Sequence, residues 1–331
     1  MNHPPLLSSV QMASFVARGF LRFEAAVPAE INDQFKSEAG EIRGPEEGLE
    51  LRRVYGETLA AAAIPEAPAG TPLADVYPPG NALSKLLDLP LVRGVLQSLL
   101  GPDPIFDHHF LHVTFPPAYH TGANVSQHTH QDSTIDPRLA FDVQLMYFPH
   151  AVSREMGGTR FVPGTHLRKV SEVAVGRYQN IKGQQHMVCE AGTLLFLHHG
   201  MWHGGGVNFS DRTRTMFKIR MRASGAQSRC WDVSDLETPA RRRPIFFLKS
   251  RPAAGSIETI LTTSEPWFEQ DTGRLEYVNR IKLWRYLTDD PAYDADFWLT
   301  RLESVEGAQS QPPRASAPFP GFAGTSPRGG R

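Results

Sequence analysis

The feature that most constrains the fold is a series of short β-type runs in the middle of the chain. Each run is bounded by Gly, Pro, Asn or Asp, and in FDVQLMYF and TMFKIRM the residues alternate as in a strand with one buried face. Crossover helices do not separate the runs, which favours a double-sheet jelly roll over a parallel α/β sheet. The runs cover residues 107–117, 139–150, 157–166, 191–199 and 213–223.

Helical patterns flank this β region on both sides. A serine cap and apolar residues at helical spacing predict a first helix that ends at Gly19, before a short strand. The C-terminal helix is expected to bury one apolar face made of Leu275, Val278, Ile281, Trp284 and Leu287. The predicted helices are 8–19, 28–41, 82–100 and 264–290, and a last one is expected to run from Asp294 to Ser304.

These patterns predict one domain over residues 1–306, mainly β with flanking helices around a double-stranded β-helix core. Its parts are N-terminal helices in 8–100, a cupin-like jelly roll in 104–250 and C-terminal helices in 264–304. Residues 56–80 are rich in Ala, Pro and Gly and indicate a loop or lid. Residues 307–331 are rich in Pro, Gly and Ser, which is typical of a disordered tail.

Composition narrows the classes of partner. The net charge of −1 gives little support to a nucleic-acid partner or an anionic membrane surface, and no apolar run approaches the ~20 residues of a membrane span. Cys189 and Cys230 are too few for a disulfide framework and lack the spacing of a zinc site. Because a secretory signal pattern is also missing, we expect a cytoplasmic protein.

The sequence HTHQD at residues 128–132 is the strongest candidate for a metal site. On a strand, residues two apart share a face, so His130 and Asp132 can point toward one ion. Two histidines and one carboxylate form the facial triad of non-heme iron enzymes, which leaves open positions for a co-substrate and O₂. The third ligand is expected from His198, His199 or His203 in the later histidine-rich segment.

Several motifs together resemble the phytanoyl-CoA dioxygenase-like branch of the Fe(II)/2-oxoglutarate oxygenases. The chain has HQD at 130–132, GGTRFVPGTH at 157–166 and HGGGVNFSDRTR at 203–214, over a resemblance that covers roughly residues 10–223. The resemblance implies that His130, Asp132 and His203 bind iron. It implies that Arg214 binds the distal carboxylate of 2-oxoglutarate, as the planar fork of a guanidinium suits. Gln127 matches a position that can hydrogen-bond 2-oxoglutarate.

Alternatives to these assignments stay open at this point. Arg212 competes with Arg214, although its place in SDRTR suggests a turn, and Gln127 could simply be exposed in a loop. His128 and His130 also match the start of a cupin pattern, but the acid that pattern needs four or five residues later is missing. His108, His109 and His112 could line the substrate cavity or have surface or core roles.

Some positions depart from the family pattern. Gln144 and Met146 stand where many members have an aromatic residue, and Gly205 stands where some have a hydroxyl residue. Met146 and Phe148 could equally be plain core residues. These departures concern secondary contacts to 2-oxoglutarate rather than the triad.

The resemblance implies an Fe(II)/2-oxoglutarate-dependent dioxygenase that consumes O₂. Because Asp132 is present, and related halogenases lack this carboxylate, hydroxylation of an unactivated C–H bond in a small organic molecule is expected. The alternatives are a cupin-type metalloenzyme that does not use 2-oxoglutarate and a catalytically silent binding protein. The aromatic C-terminal part suggests a lid or a homodimer surface, with ordinary helix packing as the alternative.

Overall fold

A computed structural model of the chain describes residues 4–39, 64–119, 126–132, 135–168, 175–176, 180–236, 255–267 and 270–293. The helix predicted from Asp294 to Ser304 and the predicted tail at 307–331 lie outside the described residues, as does the first part of the 56–80 loop.

The described strands form two antiparallel sheets. They are β1 (Phe20–Phe23), β2 (Ile105–Thr114), β3 (Val143–Phe148), β4 (Thr159–Phe161), β5 (Gln185–His186), β6 (Thr193–His198), β7 (His203–Gly205) and β8 (Arg214–Arg222). The larger sheet has the order β1-β6-β3-β8-β2 and the smaller one the order β5-β4-β7. Each of the five predicted β runs overlaps a strand, and the expected fold class, mainly β with flanking helices, is confirmed.

Alternation along the central strands separates two hydrophobic clusters. Met146 on β3 and Met216 on β8 belong to a cluster that also contains Phe161 of the smaller sheet. Their strand neighbours Tyr147 and Phe217 belong to the other cluster, together with the helices. Since successive side chains of a strand point to opposite faces, the larger sheet buries both of its faces. The cavity described below lies on the Met146 and Met216 side.

The helices cover the outer face of the larger sheet. α1 (Ser9–Arg18) begins at the predicted Ser8 cap and ends at Gly19, whose φ of 80° is in the left-handed region that glycine tolerates. α2 spans Ala29–Ala39. The single helix predicted over 82–100 is instead two helices, α3 (Ala82–Asp88) and α4 (Pro90–Leu100). Pro90 explains the break, because it disfavours helical geometry at Leu89 and starts the next helix well.

Two helices follow near the C-terminus, α5 (Ile257–Thr262) and α6 (Gln270–Thr288). Ile281, Trp284 and Leu287 of α6 are fully buried in the helix-side cluster, as predicted. The prediction for Leu275 is wrong, since this side chain is 66% exposed. A spacing of three residues drifts around a helix with about 3.6 residues per turn, so Leu275, nine residues before the buried Trp284, lies on the opposite side of α6. The expected extent of the single domain, residues 1–306, stays a prediction.

The GGTRFVPGTH segment contains β4, the central strand of the smaller sheet. Gly157 has a φ of +63°, and a Cβ atom there would lie 1.7 Å from the carbonyl oxygen of Val207. Only glycine therefore allows this turn to approach the loop after β7 so closely. Phe161 pairs in register with His203, so the segment also fixes the position of a candidate metal ligand.

Candidate active site

Two antiparallel segments carry the three candidate metal ligands. The backbone N–H of His130 donates to the carbonyl of His203 at 2.9 Å, and the N–H of His203 donates back to the carbonyl of His130 at 2.9 Å. Further along, the N–H of Gln127 donates to Gly205 at 3.1 Å, and that of Asp132 donates to His199 at 3.3 Å. Residues 127–132 therefore run beside β7 and bring the HQD motif next to His203.

The three side chains converge on one point. One ligand atom from each of His130, Asp132 and His203 lies within 4.8 Å of the other two. The Nε2 atom of His130 is 3.4 Å from Oδ1 of Asp132, and the Nε2 atom of His203 is 3.5 Å from Oδ2. Among the described residues searched, no other trio of His, Cys, Asp or Glu meets this criterion.

Backbone carbonyls orient both imidazoles. Nδ1 of His130 donates to the carbonyl of His128 at 2.9 Å, and Nδ1 of His203 donates to the carbonyl of Met201 at 2.9 Å. A carbonyl can only accept, so each Nδ1 carries a proton and each Nε2 of the neutral ring has a lone pair. Such outer contacts fix the tautomer in histidine-metal sites.

Electrostatics favour a neutral His203 and an ionised Asp132. Burial alone would lower the pKa of His130, but its hydrogen bonds with Asp132 and with the carbonyl of His128 raise that pKa above its ordinary value. Burial lowers the pKa of His203 to about 4, so its imidazole is neutral at pH 7. Burial alone would raise the pKa of Asp132, but the hydrogen bond with His130 and the nearby positive charges lower it overall. Asp132 is thus a carboxylate across the physiological range.

These residues fit a non-heme iron. Two imidazole nitrogens and one carboxylate oxygen are the donor set of the facial triad. The Oδ2 atom of Asp132 is buried and makes no hydrogen bond in the described part of the chain, which leaves a charged acceptor for a cation. The smaller sheet supplies His203, and the adjacent segment supplies the other two ligands.

Arg214 begins β8 and reaches the same cavity. Its Nη1 donates to the carbonyl of Met156 at 3.0 Å, and its Nη2 donates to Oγ1 of Thr114 at 2.7 Å. Burial lowers the pKa of Arg214 to about 10, so the guanidinium stays charged at pH 7. Arg212, the competing residue, is exposed in the turn before β8, as its sequence context suggested.

Gln127 lies at the rim of the site. Its Oε1 accepts a hydrogen bond from the N–H of Gly205 at 2.9 Å, and its backbone carbonyl accepts one from Nη2 of Arg160. The residue is exposed but lines the cavity. Its role toward 2-oxoglutarate stays a prediction.

A cavity of about 780 Å³ contains the triad and Arg214. This volume is in the usual range for small-molecule sites. Its walls come mainly from β2, β7, β8 and the 126–132 segment. The lining residues are Phe110, His112, Val113, Thr114, Ser126, Gln127, His128, His130, Asp132, Met146, Thr159, His203, Gly204, Gly205, Gly206, Arg214, Met216 and Lys218.

The remaining histidines have distinct environments. His128 is exposed at the cavity edge, and His112 lines the cavity as the sequence allowed. His198 ends β6 and packs against His166 at 4.8 Å between ring centroids. His199 lies nearer the site than expected: its Nε2 is 3.6 Å from Oδ2 of Asp132, and burial lowers its pKa to about 2.

Two cavity residues did not stand out in the sequence. Thr114 contacts Arg214, and Lys218 lies two residues beyond Met216 on the same face of β8. The alternation of TMFKIRM could have placed Lys218 on that face, but it could not tell a cavity from solvent. Of the departures from the family pattern, Met146 and Gly205 both line the cavity. Gln144 and Phe148 are fully buried and do not line it.

Comparison with known protein families identifies a family whose matched region includes this site. Residues 15–216 match the family described as phytanoyl-CoA dioxygenase (PhyH), a range that includes all five predicted site residues. The chain belongs to the phytanoyl-CoA dioxygenase family. Membership confirms the expected enzyme class, an oxygenase of the non-heme iron type that uses 2-oxoglutarate.

Solved structures give distant similarities only. HygX from Streptomyces hygroscopicus with nickel, 2-oxoglutarate and hygromycin B bound is 13% identical, with a TM-score of 0.47 over 70% of this chain and 94% of that one. The carbocyclase SnoK from nogalamycin biosynthesis is 16% identical, with a TM-score of 0.45 over 65% and 84%. The ThoJ–Ni complex, a non-heme monooxygenase, is 19% identical, with a TM-score of 0.44 over 63% and 76%.

No curated protein matches the chain. Within the described ranges, none of the helices has the length and apolar character required to cross a membrane.

Proposed function

We propose that the chain is an Fe(II)/2-oxoglutarate-dependent dioxygenase that hydroxylates an unactivated C–H bond of a small organic molecule. The reaction would convert 2-oxoglutarate to succinate and CO₂. The observation that carries this proposal is the convergence of His130, Asp132 and His203 in one cavity whose wall also holds Arg214.

Each residue has a defined part in this proposal. His130, Asp132 and His203 would hold the iron, and bound iron would supply the activation of O₂ that protein side chains cannot perform. Arg214 would bind the distal carboxylate of 2-oxoglutarate through the face of its guanidinium that points into the cavity. Thr114 and Met156 hold this guanidinium in place.

The cavity walls contribute orientation and exclusion of water. Met146 and Met216 form an apolar surface beside the triad, which limits the approach of solvent to the reacting C–H bond. Asp132 supports hydroxylation over halogenation, because its carboxylate takes the ligand position that related halogenases leave to chloride.

The rival functions explain fewer of these observations. A cupin-type enzyme that does not use 2-oxoglutarate, or a silent binding protein, gives no reason for a buried arginine anchored beside the triad. The cavity volume supports a small-molecule substrate. A homodimer and a cytoplasmic location stay predictions.

Incubation of the iron-loaded enzyme with 2-oxoglutarate, ¹⁸O₂ and fractionated small metabolites tests the proposal. We expect one fraction to accelerate succinate release and to yield a product heavier by one ¹⁸O atom. His203→Ala should abolish both signals, and exposed Arg212→Gln should keep them. Succinate release that is unchanged in Asp132→Ala, or a product without ¹⁸O in a fraction that does accelerate succinate release, would contradict the proposal.

A further inference from the structure

Lys218 is a buried cation on the wall of the active-site cavity. It lies on β8 on the same face as Arg214 and Met216, and its exposed fraction is 7%. It lines the cavity that contains the triad. Burial of a lysine is costly unless a negative charge faces it, so its presence in this wall calls for a partner.

The one acid within ion-pair distance of Lys218, among the residues that the structure describes, is Asp132. Nζ of Lys218 is 3.5 Å from Oδ2 of Asp132 and 5.5 Å from the ring centroid of Phe110. The next cation on this strand face, Arg220, already pairs with Asp107 at 3.3 Å and Asp142 at 3.2 Å. Asp107 and Asp142 therefore neutralise Arg220 rather than Lys218.

Binding of iron would change the balance around Lys218, because Asp132 would become a metal ligand. Iron(II) would bring two positive charges, and Arg214 and Lys218 bring one each. The carboxylate of Asp132 and the dianion of 2-oxoglutarate together offset three of these, so one positive charge is left. Burial lowers the pKa of His112, on the same wall, to about 4, so His112 adds no charge at pH 7.

The unmatched cation is Lys218 rather than Arg214. The two residues are four apart on one strand face, which is about 13 Å along the strand. A 2-oxoglutarate molecule whose distal carboxylate is bound by Arg214 would therefore keep that carboxylate away from Lys218. Lys218 instead lies on the Asp132 side of the triad, beside Phe110, which is 40% exposed at the cavity mouth.

From this arrangement we propose that Lys218 is a specificity-determining residue that binds a carboxylate group of the primary substrate. The inference rests on the proposed function and narrows its substrate class to small organic acids. The carboxylate would supply the charge that the loaded site lacks, and the aromatic ring of Phe110 would contact the apolar part of the substrate next to it.

The test compares matched acids and amides on the enzyme loaded with Fe(II) and saturating 2-oxoglutarate under anaerobic conditions. Hexanoate, benzoate and phenylacetate are titrated beside hexanamide, benzamide and phenylacetamide, and apparent Kd values are taken from the rise in Tm. Saturating 2-oxoglutarate would occupy Arg214 and so prevent the test acids from binding there. The variants are Lys218→Gln, Lys218→Arg and, as a control on the exposed face of α6, Lys282→Gln.

We expect at least one acid to bind the wild type more tightly than its amide. The preference should fall about tenfold or more in Lys218→Gln, as for loss of a charged hydrogen bond. It should persist in Lys218→Arg, which keeps the charge, and in Lys282→Gln. Equal binding of acids and amides by the wild type, or an unchanged preference in Lys218→Gln, would overturn the inference.

The visible absorption band of the Fe(II)–2-oxoglutarate complex separates this inference from the proposed function. A wild-type enzyme without the band contradicts the proposed function and this inference with it. A band that is present in the wild type and lost in Lys218→Gln means that Lys218 only holds Asp132, which overturns this inference alone.

Discussion

His130 and His203 exchange both of their backbone hydrogen bonds, each at 2.9 Å, and their ring centroids lie 4.4 Å apart. The two residues form a hydrogen-bonded antiparallel pair, so backbone pairing sets the separation of the two imidazoles. The proposed iron ligands are therefore preorganised by the pairing of residues 127–132 with β7. Changes that separate these two segments should weaken metal binding without touching a ligand.

Gly204 lies between His203 and Gly205, which pair with His130 and Gln127. A substitution at Gly204 therefore tests whether this pairing positions the metal ligands. A Cβ atom at Gly204 would lie 3.1 Å from the carbonyl oxygens of both Gln127 and His128, whereas one at Gly205 would meet nothing closer than 3.5 Å. We expect Gly204→Ala to weaken Mn(II) binding about tenfold, measured by titration calorimetry. Gly205→Ala, the matched control, should change it little. Equal effects of the two variants would show that the ladder does not position the ligands.

Arg214 should govern the affinity for 2-oxoglutarate. Loss of a charged, hydrogen-bonding partner costs about 1.5–3 kcal/mol, which corresponds to roughly 10- to 150-fold in binding. We expect Arg214→Gln to raise the KM for 2-oxoglutarate by such a factor in a substrate-independent succinate assay. Arg212→Gln, exposed in the adjacent turn, should have an unchanged KM. If Arg212→Gln carried the larger effect, the assignment would move to Arg212.

Glu276 should make stability depend on pH. Burial raises its pKa to about 7, although Arg280 and Arg168 act in the opposite direction, and the ion pair with Arg168 is long at 3.8 Å. The folded state thus binds a proton more tightly than the unfolded state. Its stabilising contribution is present below about pH 4.5 and is lost as the pH rises through 7.

Glu276→Gln mimics the protonated side chain, so its Tm should match that of the wild type near pH 5 and exceed it at pH 8. The comparison is a thermal unfolding series, with Glu30→Gln on the exposed face of α2 as control. A difference between Glu276→Gln and wild type that stays constant from pH 5 to pH 8 would contradict the shift.

Sequence patterns pointed to side chains that lie close together in the structure, but they gave little information on the surroundings of the proposed site. HQD spacing and the distal histidine were local signals, and the structure brings those residues together. Strand β5 has two residues and β7 has three, too few for an alternation pattern. The register of β2 on β8, which places Phe110 opposite Lys218, arises from tertiary packing and leaves no trace in either strand alone.

Other differences have local causes. Pro90 was present in the predicted third helix, and its effect on Leu89 explains why two helices form there. Leu275 continues a spacing of three residues that drifts around a helix with about 3.6 residues per turn, so it leaves the buried face of α6. The sequence around Lys218 does not distinguish it from an exposed lysine on a strand, and only the structure places it in the cavity wall.

The most direct test of the iron site uses the two histidines of HTHQD as variant and control. Anaerobic addition of Fe(II) and 2-oxoglutarate should give a visible absorption band in the wild type. His130→Ala should abolish the band, because its Nε2 faces Asp132. His128→Ala should retain it, because His128 is exposed and contributes a backbone carbonyl that alanine keeps. A band that survives in His130→Ala, or a wild type without one, would contradict the proposed site.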